Sequence, residues 1–174
     1  MDATLLRQFQ RQVEVQCEFA LRAAAEIDVA TKKRDVKIVF YGIQNLLNAA
    51  ANIHKALWGS SDSTAIARKP LRDSLQTDER SIFFPRTTVR NHNEHYDERI
   101  DRWWRDSKSK NFSDMNIGPR NTILGFDETD RFRWYDPETT DVLFWGDEFN
   151  LQGLVTEIKR IYPLAVQEAN KPPR

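Results

Sequence analysis

Residues 9–27 read FQRQVEVQCEFALRAAAEI and contain neither glycine nor proline. Apolar side chains recur at steps of three or four residues, and this spacing extends outward from the stretch to Thr4 and Ala30. The apolar positions are Leu6, Phe9, Val13, Cys17, Ala20, Ala24 and Ile27. Such spacing is the period of an amphipathic α-helix with one buried face. It predicts a long first helix over 4–30, with Cys17 as a small core residue.

A second stretch with the same period follows the basic turn Thr31–Arg34. Asp35 is placed to cap the N-terminus of this helix, and Gly59 to end it just after Trp58. Its apolar positions are Val36, Val39, Ile43, Leu46, Leu47, Ala50, Ile53 and Leu57. Two long helices joined by so short a turn must lie antiparallel.

Two further helices are predicted later in the chain. A third long helix runs from about Arg86 to Ser107, with Val89, His92, Tyr96, Ile100, Trp103 and Trp104 on its apolar side. After a polar loop, three short segments rich in β-branched and aromatic residues are broken by acidic turns, and they predict strands. These are Thr122–Phe126, Arg131–Tyr135 and Asp141–Gly146. A last helix follows from Leu151 to Glu168.

The predicted fold is mainly α. It is a four-to-five-helix up-down bundle, with a small antiparallel β-hairpin or meander inserted before the last helix. One domain covers residues 1–174, and the β-rich insert lies at about 122–146. A sheet of this size is marginal by itself, so it must pack against the helices or a partner.

Charge and composition exclude several classes of protein. The chain has 26 basic and 26 acidic side chains, and this balance argues against a protein that coats nucleic acid through a large basic field. No stretch is apolar enough for a membrane span, and the N-terminus does not resemble a signal peptide. One cysteine permits neither an internal disulfide nor a cysteine-rich zinc site. A cytoplasmic protein without membrane contact is expected.

The densest group of polar residues lies at 90–99, RNHNEHYDER, on the predicted third helix. One interpretation is a solvated charged face held by pairs four residues apart, namely Arg90–Glu94, Glu98–Arg102 and Asp101–Arg105. Within one helix, Arg90 and His95 point about 140° apart and do not meet at one atom. They could converge only if a second copy of the helix packed across a two-fold axis.

The pattern Arg90-Asn91-x-x-x-His95 resembles the R-x4–6-H motif of the HEPN superfamily (higher eukaryotes and prokaryotes nucleotide-binding domains). The resemblance covers roughly residues 4–107 and the last helix, while the β-rich insert departs from the minimal fold. The position of the motif on a late helix, after two long antiparallel helices, supports the resemblance.

The resemblance implies a homodimer in which two motifs form one metal-independent ribonuclease site, without a cofactor. In such a site His95 would move a proton between the ribose 2′-hydroxyl and the leaving oxygen, and Arg90 would stabilise charge on the phosphoryl oxygens. Asn91 would orient the phosphate or the histidine. Glu94 and Arg99, beside the motif, are assigned to binding.

By the same resemblance, the nuclease would be of the toxin or defence type, with RNA as substrate and an antitoxin or another protein as partner. Many members of the superfamily keep the fold without activity. A non-catalytic nucleotide-binding or protein-interaction module is therefore the alternative function.

Three other features admit a functional interpretation. His92 and His95, with the nearby carboxylates, offer metal ligands, but they point about 60° apart and lack a second motif on another helix, so no metal site is predicted. His54 lies near an apolar stripe and is expected in the core. The tryptophans are expected in core or dimer contacts, with stacking of RNA bases as the alternative.

Overall fold

The computed structural model of the chain describes residues 1–78, 81, 95–119 and 127–172. These residues contain six α-helices and four short strands, which confirms a mainly helical fold with a small sheet before the last helix. In chain order the elements are α1 (Ala3–Lys33), α2 (Val36–Trp58), α3 (Asp62–Ala67), α4 (Lys69–Ser74), α5 (Tyr96–Asp106), β1 (Asn116–Ile117), β2 (Arg133–Asp136), β3 (Asp141–Phe144), β4 (Asp147–Asn150) and α6 (Leu151–Ala169).

The chain divides into two compact units. The first takes its described residues from 1–25, 45–86 and 153–174, and the second from 26–44 and 87–152. Each of the two long helices α1 and α2 thus contributes to both units. A single domain over 1–174 stays a prediction.

The helices of the first unit are tied together by side chains that satisfy polar groups. Asn52 of α2 donates to Gln16 of α1 at 3.2 Å, and this pairing across the short turn fits the predicted antiparallel helices. Near the start of α1, Arg7 donates to the carbonyls of Glu168 (2.6 Å) and Ala169 (3.1 Å), beside the end of α6. These carbonyls at a helix C-terminus have no partner within the helix, so Arg7 satisfies them.

Most of the apolar positions predicted for α1 and α2 are buried, whereas Leu6, Phe9, Ala24 and Val36 are half-buried. Within the first unit, Cys17 is fully buried, and burial raises the pKa of its thiol to about 12. Gly59 follows the end of α2 with a φ of 72°, and it fulfils its predicted role at the C-terminus. The other core side chains of this unit include Val13, Leu46, Ile53, Leu57, Leu71, Leu75, Leu154, Ile158 and Ile161.

The predicted helix over 86–107 is wrong at its centre. Helix α5 begins at Tyr96, and His95 is its N-cap residue with non-helical backbone angles (φ −107°, ψ 38°). Asp97 and Glu98 occupy the first turn, where negative charge is stabilised by the unpaired N–H groups and the helix dipole. The continuous apolar pattern concealed this start. Residues 86–94 lie outside the described part of the chain.

The sheet belongs to the second unit and has the order β1-β2-β3-β4. The antiparallel meander β2-β3-β4 fits the predicted β-insert, whereas β1 is parallel to β2 and was not predicted. The strands extend over 116–150, wider than the predicted 122–146. The predicted strand Thr122–Phe126 falls outside the described residues.

Residues Trp145 and Gly146 form the two-residue turn between β3 and β4, since Phe144 pairs with Asp147. Both have positive φ, 52° and 91°, as a type I′ hairpin requires. The predicted third strand, Asp141–Gly146, therefore ends two residues early, because Gly146 allows the chain to reverse there. None of the described helices combines the length and apolar character needed to cross a membrane.

Candidate functional site

His95 is the motif residue that the structure describes, and its side chain is 53% exposed at the start of α5. Its Nδ1 lies 3.1 Å from Oε1 of Glu98, one turn into the helix. A carboxylate in this position favours the tautomer with the proton on Nδ1, which leaves the lone pair on Nε2. An exposed imidazole with this tautomer can accept a proton from a bound hydroxyl group.

The other predicted catalytic residues, Arg90 and Asn91, lie outside the described residues, as does Glu94. The structure therefore does not place them relative to His95. Of the two residues assigned to binding, it describes Arg99.

Arg99 faces the turn between β3 and β4. Its guanidinium carbon lies 5.0 Å from the centroid of the Trp145 ring, and that of Arg102 lies 4.9 Å from the same ring. Two cations beside one indole give favourable cation–π contacts. These contacts help to hold Trp145 at its positive φ of 52°. Arg99 thus has a structural contact that the sequence did not indicate.

The predicted charge pairs on α5 form differently. Glu98 contacts His95 rather than Arg102. Arg102 and Arg105 both contact Asp106, at 3.4 and 3.0 Å, so Asp101 is not the partner of Arg105. Glu98 thus pairs with the N-cap residue His95, and the two arginines pair with Asp106 in the last turn of α5. All of these groups are exposed, so the pairs contribute little to stability.

A half-buried triad of Tyr96, Asp114 and Arg133 joins the start of α5 to β2. Arg133 donates to both carboxylate oxygens of Asp114, at 2.8 and 2.5 Å, and the Tyr96 hydroxyl donates to Oδ2 at 3.0 Å. Burial and the charge of Asp114 raise the pKa of Tyr96 to about 12. Burial alone would raise the pKa of Asp114, but its bonds with Arg133 and Tyr96 lower it below its usual value.

A fully buried carboxylate, Asp130, lies near the other end of α5. Its Oδ1 accepts hydrogen bonds from Trp103 Nε1 (2.9 Å) and Ser107 Oγ (2.7 Å), and its Oδ2 accepts one from Ser109 Oγ (2.6 Å). Burial alone would raise the pKa of Asp130, but the bonds from Ser109, Ser107 and Trp103 outweigh it and lower the pKa.

Sequence reasoning missed both of these acidic centres. Asp130 belongs to the run Asp127-Glu128-Thr129-Asp130, whose composition predicts only a turn between two strands. The available signal was the group of potential donors Trp103, Ser107 and Ser109, but only the fold brings them to this carboxylate. The alternation of Arg131 and Arg133 with aromatic residues correctly predicted a strand, and it gave no indication of the partner Asp114.

The two adjacent tryptophans of α5 have opposite environments. Trp103 is 9% exposed, in agreement with its predicted core position, whereas Trp104 is 64% exposed. Ile100 was placed on the same apolar stripe and is also exposed. Trp103 packs edge-on against Phe112, with ring centroids 5.0 Å apart, and Phe112 lies 4.5 Å from Phe132. The core side of α5 is therefore narrower than predicted.

His54 was expected in the core and is half-buried on α2. Its Nδ1 is buried without a hydrogen-bond partner, and burial lowers its pKa. In the part of the chain that the structure describes, no three His, Cys, Asp or Glu side chains cluster closely enough to hold a metal ion.

Comparison with protein-family models finds no match to this chain. Searches among curated proteins and among solved structures also find no significant similarity.

Proposed function

We propose that the protein is a HEPN-like, metal-independent endoribonuclease of the toxin or defence type, with a composite Arg90/His95 site at a homodimer interface. The observation that supports it is the exposed imidazole of His95, whose Nδ1 faces Glu98 and whose Nε2 is left to exchange a proton. The charged pattern of 90–99 and the two long antiparallel helices before it agree with this proposal.

The chemistry follows from RNA itself. Nε2 of His95 takes the proton from a ribose 2′-hydroxyl, whose oxygen attacks the adjacent phosphorus and forms a 2′,3′-cyclic phosphate. The bond to the 5′-oxygen breaks, and a protonated histidine, such as that of the second copy, returns a proton to this leaving oxygen. Arg90 stabilises the negative charge that builds on the phosphoryl oxygens, and Asn91 orients the phosphate.

In this proposal Glu98 is a positioning residue, since it acts through His95. Its carboxylate fixes the tautomer in the free enzyme and stabilises the imidazolium formed during proton transfer. Glu94 and Arg99 remain the residues proposed for binding. For Arg99 this requires that its guanidinium contact the substrate while it also contacts the ring of Trp145.

The test is RNA cleavage by the purified protein in EDTA, with the products analysed for 2′,3′-cyclic phosphate ends. His95→Ala should abolish cleavage, and Glu98→Gln should lower kcat and change the pH profile. His54→Gln, at the other described histidine, is the control and should cut like the wild type. RNA left intact by the wild type, or cut equally well by His95→Ala, would overturn the proposal. Intact but bound RNA would indicate the non-catalytic module instead.

A further inference from the structure

Two aromatic side chains, one near the end of α5 and one in the loop after it, are exposed to solvent although each contacts an aromatic ring of the core. Trp104 is 64% and Phe112 is 43% exposed. The buried Trp103 contacts both of them, with ring centroids 6.0 Å from Trp104 and 5.0 Å from Phe112. The core side chain of Trp103 thus packs against two aromatic rings that are open to solvent. Large apolar groups exposed together commonly mark a contact site.

Positive charge gathers around these rings. Residues 102–110, RWWRDSKSK, carry four basic side chains and one acidic side chain, whereas the earlier turns of α5 contain Asp97, Glu98 and Asp101. Asp106 contacts both Arg102 and Arg105 but offsets only one of their charges, so the stretch has an excess of three positive charges, two of them on Lys108 and Lys110. Nζ of Lys110 lies 4.9 Å from the centroid of the Trp104 ring and donates to the Trp104 carbonyl oxygen.

The loop that carries these lysines is held in place by Asp130. The Ser107 hydroxyl donates to Asp130 and accepts the backbone N–H of Lys110 at 3.0 Å. Ser109 likewise donates to Asp130 and accepts the N–H of Asn111 at 3.2 Å. Lys110 has a φ of 54°, a left-handed conformation that is unfavourable for lysine unless neighbouring contacts fix it. The buried carboxylate thus fixes the loop in advance of any ligand.

We propose that Trp104, Lys108, Lys110 and Phe112, called here the Trp104 surface, bind single-stranded RNA. A base stacks on Trp104 or Phe112, and the two lysines contact the adjacent phosphates. Open aromatic rings beside cations are the arrangement that single-stranded nucleic acids use, because every base has a π-face and every linkage a charge. The choice of RNA over DNA rests on the proposed function.

The Trp104 surface is separate from the proposed cleavage site. Trp104 lies nine positions after His95, the N-cap residue of α5, so the two are about 14 Å apart along the helix axis. The two side chains therefore do not contact the same phosphate. The surface retains a longer strand, while a dinucleotide that reaches only His95 gains nothing from it.

The test is the anisotropy of a fluorescein-labelled oligouridylate, about 12 nucleotides long and 2′-O-methylated so that it cannot be cleaved. Trp104→Ala should raise its Kd about tenfold or more, within the range for one stacked base. Trp104→Phe should retain most of the affinity. A Lys108→Ala, Lys110→Ala double variant should weaken binding and reduce its salt dependence. The control is Phe19→Ala, a comparably exposed aromatic side chain on α1.

Several results would overturn this inference. They are absence of binding by the wild type and equal binding by Trp104→Ala. Conversion of a dimer to a monomer by Trp104→Ala in sedimentation would assign the surface to self-association instead. The two proposals fail separately, since RNA bound but not cut refutes only the nuclease. RNA cut and bound equally well by Trp104→Ala refutes only the surface.

Discussion

The indole Nε1 of Trp103 donates a hydrogen bond to Oδ1 of Asp130 at 2.9 Å, and both residues are buried. This bond joins α5 to the short 3₁₀ turn Glu128–Asp130, which precedes β2. Of the two adjacent tryptophans, the one with this bond faces inward. Trp103 has a buried partner for its polar atom, which a buried tryptophan needs, whereas Trp104 remains at the surface.

Replacement of Asp130 by alanine should destabilise the protein by about 3 kcal/mol, because Trp103, Ser107 and Ser109 lose their common acceptor. Urea unfolding would measure the loss. Asp127→Ala is the matched control, since the side chain of Asp127 is exposed and its change should stay within about 0.5 kcal/mol. Equal stabilities for the two variants would contradict the role assigned to Asp130.

Stability should decrease in acid because of Asp114. Its native pKa is below the ordinary value of 3.8, so the unfolded chain takes up protons first as the pH falls. The contribution of Asp114 to the free energy of unfolding is complete above the pKa of this carboxyl in the unfolded chain. It is lost as the pH falls through the pKa of the same carboxyl in the native protein. Urea unfolding at about pH 6 and about pH 3 would show the decrease, and Asp114→Asn should make it smaller. An unchanged difference between the two pH values in Asp114→Asn would show that other groups cause it.

Cys17 should be inert in the folded protein. Its thiol is buried and its pKa is raised to about 12, so almost no thiolate exists at neutral pH. An aromatic disulfide reagent should label it slowly under native conditions and rapidly in denaturant, as followed by absorbance. Rapid labelling of one thiol per native chain would contradict the position of Cys17 in the core.

Gly59→Ala should destabilise the protein by about 2 kcal/mol. Gly59 has a φ of 72°, and a Cβ atom there would lie 2.2 Å from Oγ1 of Thr64. That hydroxyl accepts the N–H groups of Ser60 and Ser61, so it is not free to move away. Thermal unfolding compared with Ser60→Ala, the adjacent exposed position, isolates the effect. Equal melting temperatures would contradict a requirement for glycine.

Much of the helical architecture was predictable because it depends on local spacing. The apolar spacing that predicts Cys17 as a core residue lies within α1, and the spacing that does so for Ile53 lies within α2. Gly59 ends α2 because glycine adopts a positive φ without strain. The start of α5 was also present in the sequence, in the acids Asp97 and Glu98, but the apolar positions on both sides suggested an uninterrupted helix.

The contacts around the candidate site could not be predicted in this way. The hydrogen bond between Trp103 and Asp130 joins residues 27 positions apart in the sequence, and that between Arg133 and Asp114 joins residues 19 positions apart. Their burial depends on how α5 and the strands pack, which no local pattern encodes. The β propensity of Trp145 predicts a strand, whereas the residue lies in the turn with Gly146, and its ring contacts Arg99 and Arg102 of α5.

The hydrogen bonds from Arg7 to the end of α6 also affect how the protein is made. They join groups 161 and 162 positions apart, so the ribosome must synthesise the chain as far as Glu168 and Ala169 before these bonds can form. The hairpin of α1 and α2, whose contacts are closer in sequence, can form much earlier. We expect a helical intermediate on the ribosome that becomes fully native only after α6 emerges, which is the period when chaperone binding would matter most.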